Sequence, residues 1–402
     1  MQPHRIRSPR RAAFALVASA LAALASGAPV RGQDAPPVVT CRNCGNHGMH
    51  DCSKHKKGWL EREQAILFCS VAQECKTCAG ALAVDCKVCR NEAAEAELER
   101  RRKLAQEWRE ALRTGIDEHA KGEPLLHLKT ENVDLGCGIE RLTVGRDKLD
   151  THEILHLYGE RIEALRALFL GELQLEEGDF STRLRVYMCR DGRQSSNLAP
   201  RVTGIGGNMA VGVKLMGIEA VYCMWQNPRG LPDDEALHRN IVHNVTHLLL
   251  ANMAPAGYFG NPKNGWVDEG LAHWFEEKLD GKCTNYCFEE VLLQQGQLYK
   301  GGRWKVPVRR SLEAGELVSL AELGEKNTDQ LTFPEHAQSF AMVDYLMQVF
   351  GGDKMREFLR LLKGKTEMRD ALQKVYGMNP LQFDPAFHEW VRETYPLVEP
   401  PR

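Results

Sequence analysis

His243-Asn-Val-Thr-His247 places two imidazoles four residues apart, on one face of a helix, where both can reach one cation. Glu269, in Trp266-Val-Asp-Glu269-Gly-Leu-Ala, comes 22 positions after His247. Two imidazoles and one carboxylate suit Zn²⁺ and leave a fourth position for water or substrate. The residue after the first histidine is Asn244. A side-chain amide cannot take a proton from water. Beside the two imidazoles, then, stands a residue that is no base.

A second set of potential ligands lies near the N-terminus. Cys41-x2-Cys44-x7-Cys52-x2-His55 is followed by Cys75-x2-Cys78-x7-Cys86-x2-Cys89, one spacing used twice. A C-x-x-C turn presents two thiolates to one ion, and two such pairs complete a tetrahedron. The spacing points to up to two zinc ions. An exported chain meets oxidising conditions, which keeps disulfides open. Sequential pairing within each repeat and pairing across the repeats both satisfy the spacing. His47 and His50 are spare candidates, and Cys69 is unassigned. Further along, Cys283-Thr-Asn-Tyr-Cys287 reads first as a local disulfide and second as a metal pair.

The elements that must position these residues follow from periodicity and punctuation. Asn91–Trp108 is rich in helix formers, with Glu preceding Arg and Lys at helical spacing, and reads as an exposed connecting helix. Strand character runs from Leu125 to Val133, an amphipathic helix from Asp150 to Leu173 and an alternating strand from Thr182 to Cys189. Two apolar runs around Gly217 suggest a hairpin or two sheet strands. Asp233 and Asp234 can cap a helix through Asn252 that carries His243 and His247, and a second helix is expected from about Trp266 to Leu279. The resulting fold class is α+β: an antiparallel sheet followed by a helical bundle, with a small N-terminal zinc-binding module.

Residues 123–395 resemble the peptidase-MA-like gluzincins, relatives of thermolysin. The likeness is carried by the strand-helix-strand opening, by His243 to Glu269, and by His336-Ala-Gln-Ser-Phe-Ala-Met-Val-Asp-Tyr-Leu346, which is similar to the family's Y-x-Q-S helix. It implies that His243, His247 and Glu269 ligate one zinc. The family's motif is H-E-x-x-H, its Glu activating the metal-bound water, and here Asn244 stands in that place. The family's helix Tyr, an oxyanion donor, corresponds to His336, a weak catalytic candidate whose alternative is a partly exposed structural role. His273, one turn after Glu269, reads as a partly exposed helix residue, with an outer-sphere or alternative-ligand role second. Cys78-Ala-Gly80 likewise resembles the DnaJ-type cysteine-rich repeat. That resemblance implies one site from Cys41, Cys44, Cys86 and Cys89, and another from Cys52, His55, Cys75 and Cys78.

Losing the Glu removes a base worth ~10²- to 10⁴-fold by general acid–base estimates. Asp268 and Glu276 are conceivable substitutes, although Asp268 adjoins a ligand on a helix and should point elsewhere. The preferred expectation is a zinc-binding, catalytically impaired protein that recognises polypeptide. One alternative is an active zinc hydrolase using another base. Another is a structural envelope protein without functional metal sites.

The chain has 402 residues, 26% charged and 43% hydrophobic, enough for one large core and a smaller module. Arg5, Arg7, Arg10 and Arg11 precede an Ala-rich apolar run, Ala12 to Ala25, and small residues follow, as in an export signal. That run is too short to span a membrane comfortably, and no later segment could span. Removing residues 1–28 takes away four Arg and no acid, which moves the net charge from −2 to −6 and argues against nucleic acid as a partner. The expected division is a signal peptide over 1–32, a cysteine-rich module over 38–91, a helical connector over 92–122 and a peptidase-MA-like domain over 123–395. The expected destination is the periplasm, the cell envelope or the exterior.

Overall fold

The computed structural model describes residues 40–54, 68–69, 75–114, 120, 122–206, 211–227, 231–285 and 301–398. The expected signal peptide over 1–32, His55 and Cys287 lie outside the described residues. No described helix is long and apolar enough to cross a membrane.

The cysteine spacing is matched by a duplicated backbone. The shift that carries Cys41, Cys44 and Cys52 onto Cys75, Cys78 and Cys86 also carries the left-handed positions Gly45, Asn46 and Gly48 onto Ala79, Gly80 and Leu82. β1 (Met49–Asp51) and β3 (Ala83–Asp85) pair antiparallel between the two repeats. The amide N–H of Cys52 donates to the Leu82 carbonyl, and that of Cys86 to the Gly48 carbonyl. The apolar cluster beneath is small: Ala81, Ala83 and Leu98, with Met49 against it. Leu98 comes from α1 (Glu92–Thr114), whose outward face carries Glu97 bonded to Arg100 and Arg101. β2 (Phe68–Cys69) leaves this region and pairs with the main sheet.

The main domain opens with β4 (Leu126–Lys129) and β5 (Val133–Cys137), then a β6–β7 hairpin (Arg141–Val144, Asp147–Asp150). α2 (Thr151–Leu173) starts at a capping box formed by Asp150 and Glu153. Next come β8 (Leu184–Cys189), α3 (Gly192–Thr203), β9 (Gly212–Leu215) and β10 (Ala220–Trp225). The sheet order is β2-β4-β5-β8-β10-β9. β5, β8 and β10 run parallel, which corrects the all-antiparallel expectation: the sheet is mixed. The reason is the helical crossover. α2 carries the chain from the end of β5 back to the start of β8, so the two strands share a direction.

Both faces of this sheet are covered. Leu184, Val186 and Met188 of β8, with Ala220, Tyr222 and Met224 of β10, face the main core. The alternate residues Tyr187, Cys189, Val221 and Cys223 face a second cluster with Leu198, Ala199 and Val202 of α3. Doubly covered strands explain the nearly continuous apolar runs.

Helices complete the domain. α4 (Asp234–Asn252) is capped by Asp233, whose carboxylate accepts from the Ala236 N–H. α5 (Gly265–Asp280) follows a loop, and then come α6 (Lys305–Glu313), α7 (Leu320–Gly324), α8 (Phe333–Phe350), α9 (Gly352–Lys363), α10 (Met368–Tyr376) and α11 (Pro380–Thr394). α5 packs between α4 and α8. The close approach of α5 and α8 is set by Gly270. A Cβ there would stand 2.6 Å from the Ser339 carbonyl oxygen and 2.7 Å from Val343 Cγ2. Gly270→Ala is therefore expected to cost about 1–3 kcal/mol by overpacking, read as a lower denaturant midpoint at unchanged slope.

Candidate metal centre

α4 from Ile241 to Asn252, α5 from Gly265 to Glu276 and α8 from Glu335 to Met347 are buried all round. Polar residues in such helices need partners, and most have conventional ones. Thr246 donates to the Val242 carbonyl, and Asn252 serves the backbones of Ser181 and Ile218. Gln338 pairs with the Val318 backbone, and Asp344 accepts from Trp274 and Tyr395. The remainder converge on one place: His243, His247, Asp268, Glu269, His273, Glu276 and His336.

Helical spacing brings them there. His243 and His247 lie one turn apart on α4, while Glu269, His273 and Glu276 occupy i, i+4 and i+7 on one face of α5. His336 comes from the first turns of α8. His243 Nε2 and His247 Nε2 stand 3.2 Å apart. Glu269 Oε2 lies 3.5 Å from His243 Nε2, and Glu269 Oε1 lies 3.5 Å from His247 Nε2. Ligands held at 2.0–2.1 Å by a tetrahedral zinc stand about 3.3 Å from one another. The three edges have that length.

Carboxylates face the outward nitrogens. Glu276 Oε2 accepts from His273 Nδ1 at 2.9 Å and from His243 Nδ1 at 3.3 Å. His247 Nδ1 lies 3.1 Å from Asp268 Oδ1. An imidazole whose Nδ1 carries the proton presents a lone pair at Nε2. With both Nδ1 atoms protonated, the two Nε2 lone pairs 3.2 Å apart repel unless a cation lies between them, whereas a proton on either Nε2 makes the contact a hydrogen bond. Glu269 supplies the remaining evidence. It is fully buried, and neither carboxylate oxygen has a hydrogen-bond partner. An ionised carboxylate in that state is unstable without a positive charge beside it. These donors fit a zinc-class cation.

Electrostatics agree. Burial raises the Glu269 carboxyl, but the facing imidazoles of His247 and His243 more than reverse this and hold it well below the usual carboxylate range. Burial also opposes ionisation of Glu276, yet hydrogen bonds from His243 and His273 bring it down to about 2. Burial lowers His273, and it lowers His336 to about 3, so both rings are neutral. Glu276→Gln removes the shared carboxylate acceptor and is expected to weaken metal binding about 10- to 100-fold, measured by competition with a chelator of known affinity.

Several expectations change here. His273 and His336, read as partly exposed, are both buried, because α5 is enclosed between α4 and α8. Their rings meet, with His273 Nε2 3.1 Å from His336 Nδ1. Asp268 and Glu276, considered as substitute bases, face the outer nitrogens of the imidazoles. The i, i+4, i+7 spacing of Glu269, His273 and Glu276 is the signal that could have grouped them. Asn244 donates from Nδ2 to the Asn240 carbonyl one turn back at 2.8 Å. Cys283, expected to pair with Cys287, has its Sγ 3.3 Å from the His273 carbonyl oxygen and donates to it.

In the cysteine module Cys41, Cys44, Cys86 and Cys89 converge, as do Cys52, Cys75 and Cys78. The structure thus brings ligands together across the repeats, not within each one. Cys41 and Cys86 Sγ are 3.7 Å apart, Cys52 and Cys75 Sγ 3.9 Å, and Cys44 and Cys89 Sγ 2.9 Å. Zn–S bonds of 2.3 Å in a tetrahedron place sulfurs about 3.8 Å apart. The first two separations match that edge, and the third is shorter. None of these seven cysteines forms a disulfide. Backbone N–H groups of Val88 and Cys89 pull the Cys86 thiol down to about 6.

The sequence model of the Peptidase MA superfamily matches residues 209–393. The match spans 185 of the 402 residues and supports a Peptidase MA superfamily domain in that segment. It includes α4, α5 and α8, and so every converging residue of the main-domain centre. A search of curated proteins finds no match. The likeness to this superfamily suggests a metallopeptidase-like fold, and its members are typically zinc-dependent.

Proposed function

We propose that the chain is an exported zinc-binding protein whose gluzincin-like domain binds polypeptide and is catalytically impaired. His243, His247 and Glu269 hold one zinc, and the thiolates of the cysteine module hold up to two more, with His55 as the eighth ligand. Bound zinc is a Lewis acid that polarises a carbonyl and makes water more acidic. The chain's own residues do the rest. Asp268 and Glu276 orient the imidazoles, and the packed helices exclude solvent. Asn244 stands at the position of the family's general-base Glu and cannot accept a proton. It adjoins a ligand and hydrogen-bonds its own helix, and this observation carries the reading. The basic and apolar N-terminal stretch supports export.

The test pairs binding with turnover on a mixed library of labelled peptides. The expected result is retention that chelation abolishes, with no cleavage products. Chelator-sensitive cleavage abolished by His243→Ala would instead establish an active hydrolase with another base. Neither binding nor zinc uptake by reduced, metal-replete protein would leave a structural role.

A further inference from the structure

The zinc reading assigns His243, His247 and Glu269 and leaves two neighbouring imidazoles without a task. His273 Nε2 lies 3.6 Å from Glu269 Oε2, His336 Nδ1 lies 3.5 Å from the same oxygen, and the two ring nitrogens are 3.1 Å apart. These edges are close to the 3.2, 3.5 and 3.5 Å found among His243, His247 and Glu269. Glu269, His273 and His336 thus form a second trio of potential ligands, and the two trios share Glu269. All three residues are buried.

We propose that the centre holds two divalent cations bridged by the Glu269 carboxylate, one on His243 and His247 and the other on His273 and His336. The donors are imidazole and carboxylate with no thiolate, which suits zinc, iron or cobalt. The geometry of Glu269 carries the inference. Its oxygens face different imidazoles: Oε1 faces His247, whereas Oε2 faces His243, His273 and His336. A single cation taking Oε1 leaves Oε2 buried without a hydrogen-bond donor. A hydrogen bond from His336 to His273 would account for the 3.1 Å contact but would still give Glu269 no donor. A second cation satisfies that oxygen. His273 also has the outward support of a metal ligand, since its Nδ1 donates to Glu276, as does that of His243. Carboxylate-bridged pairs of this kind place their ions about 3.5–4 Å apart.

This inference rests on the reading of His243, His247 and Glu269 as a metal site, and the experiment separates the two. The full-length chain, reduced and anaerobic, is loaded with Co²⁺ and dialysed to equilibrium. Cobalt on the cysteine module is identified by its thiolate charge-transfer absorption and subtracted. Wild type is expected to retain two further Co²⁺ per chain, with the electron paramagnetic resonance of an exchange-coupled pair. His336→Ala should retain one with the coupling lost, and His273→Ala provides the same test should the first variant fail to fold. One Co²⁺ in wild type outside the thiolates overturns the proposal and leaves the first site intact. None overturns both.

Discussion

Asn244→Glu is expected to gain chelator-sensitive peptide cleavage while its zinc content stays that of wild type. The substituted carboxylate would sit beside the His243 ring, on the helix that supplies two ligands. General-base catalysis by a positioned carboxylate is worth ~10²- to 10⁴-fold, so the variant should exceed the wild-type rate by that order. The substitution sacrifices the Asn244 to Asn240 hydrogen bond and places a larger side chain at a buried position. Denaturant unfolding should therefore accompany the assay. A folded, zinc-loaded variant without cleavage would mean that the cleft lacks more than a base. Adding His243→Ala to the variant should abolish whatever activity appears.

Stripping metal from the cysteine module is expected to unfold it while the main domain stays folded. Among the described residues, the module's buried apolar cluster is Ala81, Ala83 and Leu98. At roughly 25 cal/mol per Å², so few small groups cannot offset the entropy of ordering two repeats. Structural zinc contributes on the order of 10 kcal/mol in modules of this size. Chelation of the reduced chain, or Cys86→Ser, should therefore expose the amides of Cys52 and Cys86 to hydrogen exchange, since their bonds to Leu82 and Gly48 tie the repeats together. Amides of α4 and α8 should retain their protection. Unchanged protection at Cys52 and Cys86 after chelation would show that the module does not depend on metal.

The parts of this architecture that local chemistry dictates were legible in the residues. Asp150 and Asp233 mark helix starts because each side chain accepts from the backbone N–H three positions on. His243 and His247 share a face because four residues make about one turn. The parallel centre of the sheet was not legible, because strand direction depends on how α2 and α3 cross over. α3 itself was missed: Gly192–Thr203 contains Ser, Asn, Gly and Pro, poor helix formers. The Asp191 cap and the packing of Leu198, Ala199 and Val202 on the sheet override that preference. The burial of His273 and His336 is likewise a tertiary fact. On its own helix each sits among polar and apolar neighbours alike, and only the packing of α5 between α4 and α8 encloses them.

The most direct test is anomalous diffraction at the zinc absorption edge from crystals of the full-length, metal-replete protein. Density for an anomalous scatterer is predicted within bonding distance of His243 Nε2, His247 Nε2 and a Glu269 oxygen. Zinc-loaded crystals with anomalous signal at the cysteine module and none among these three side chains would contradict the assignment of the metal centre.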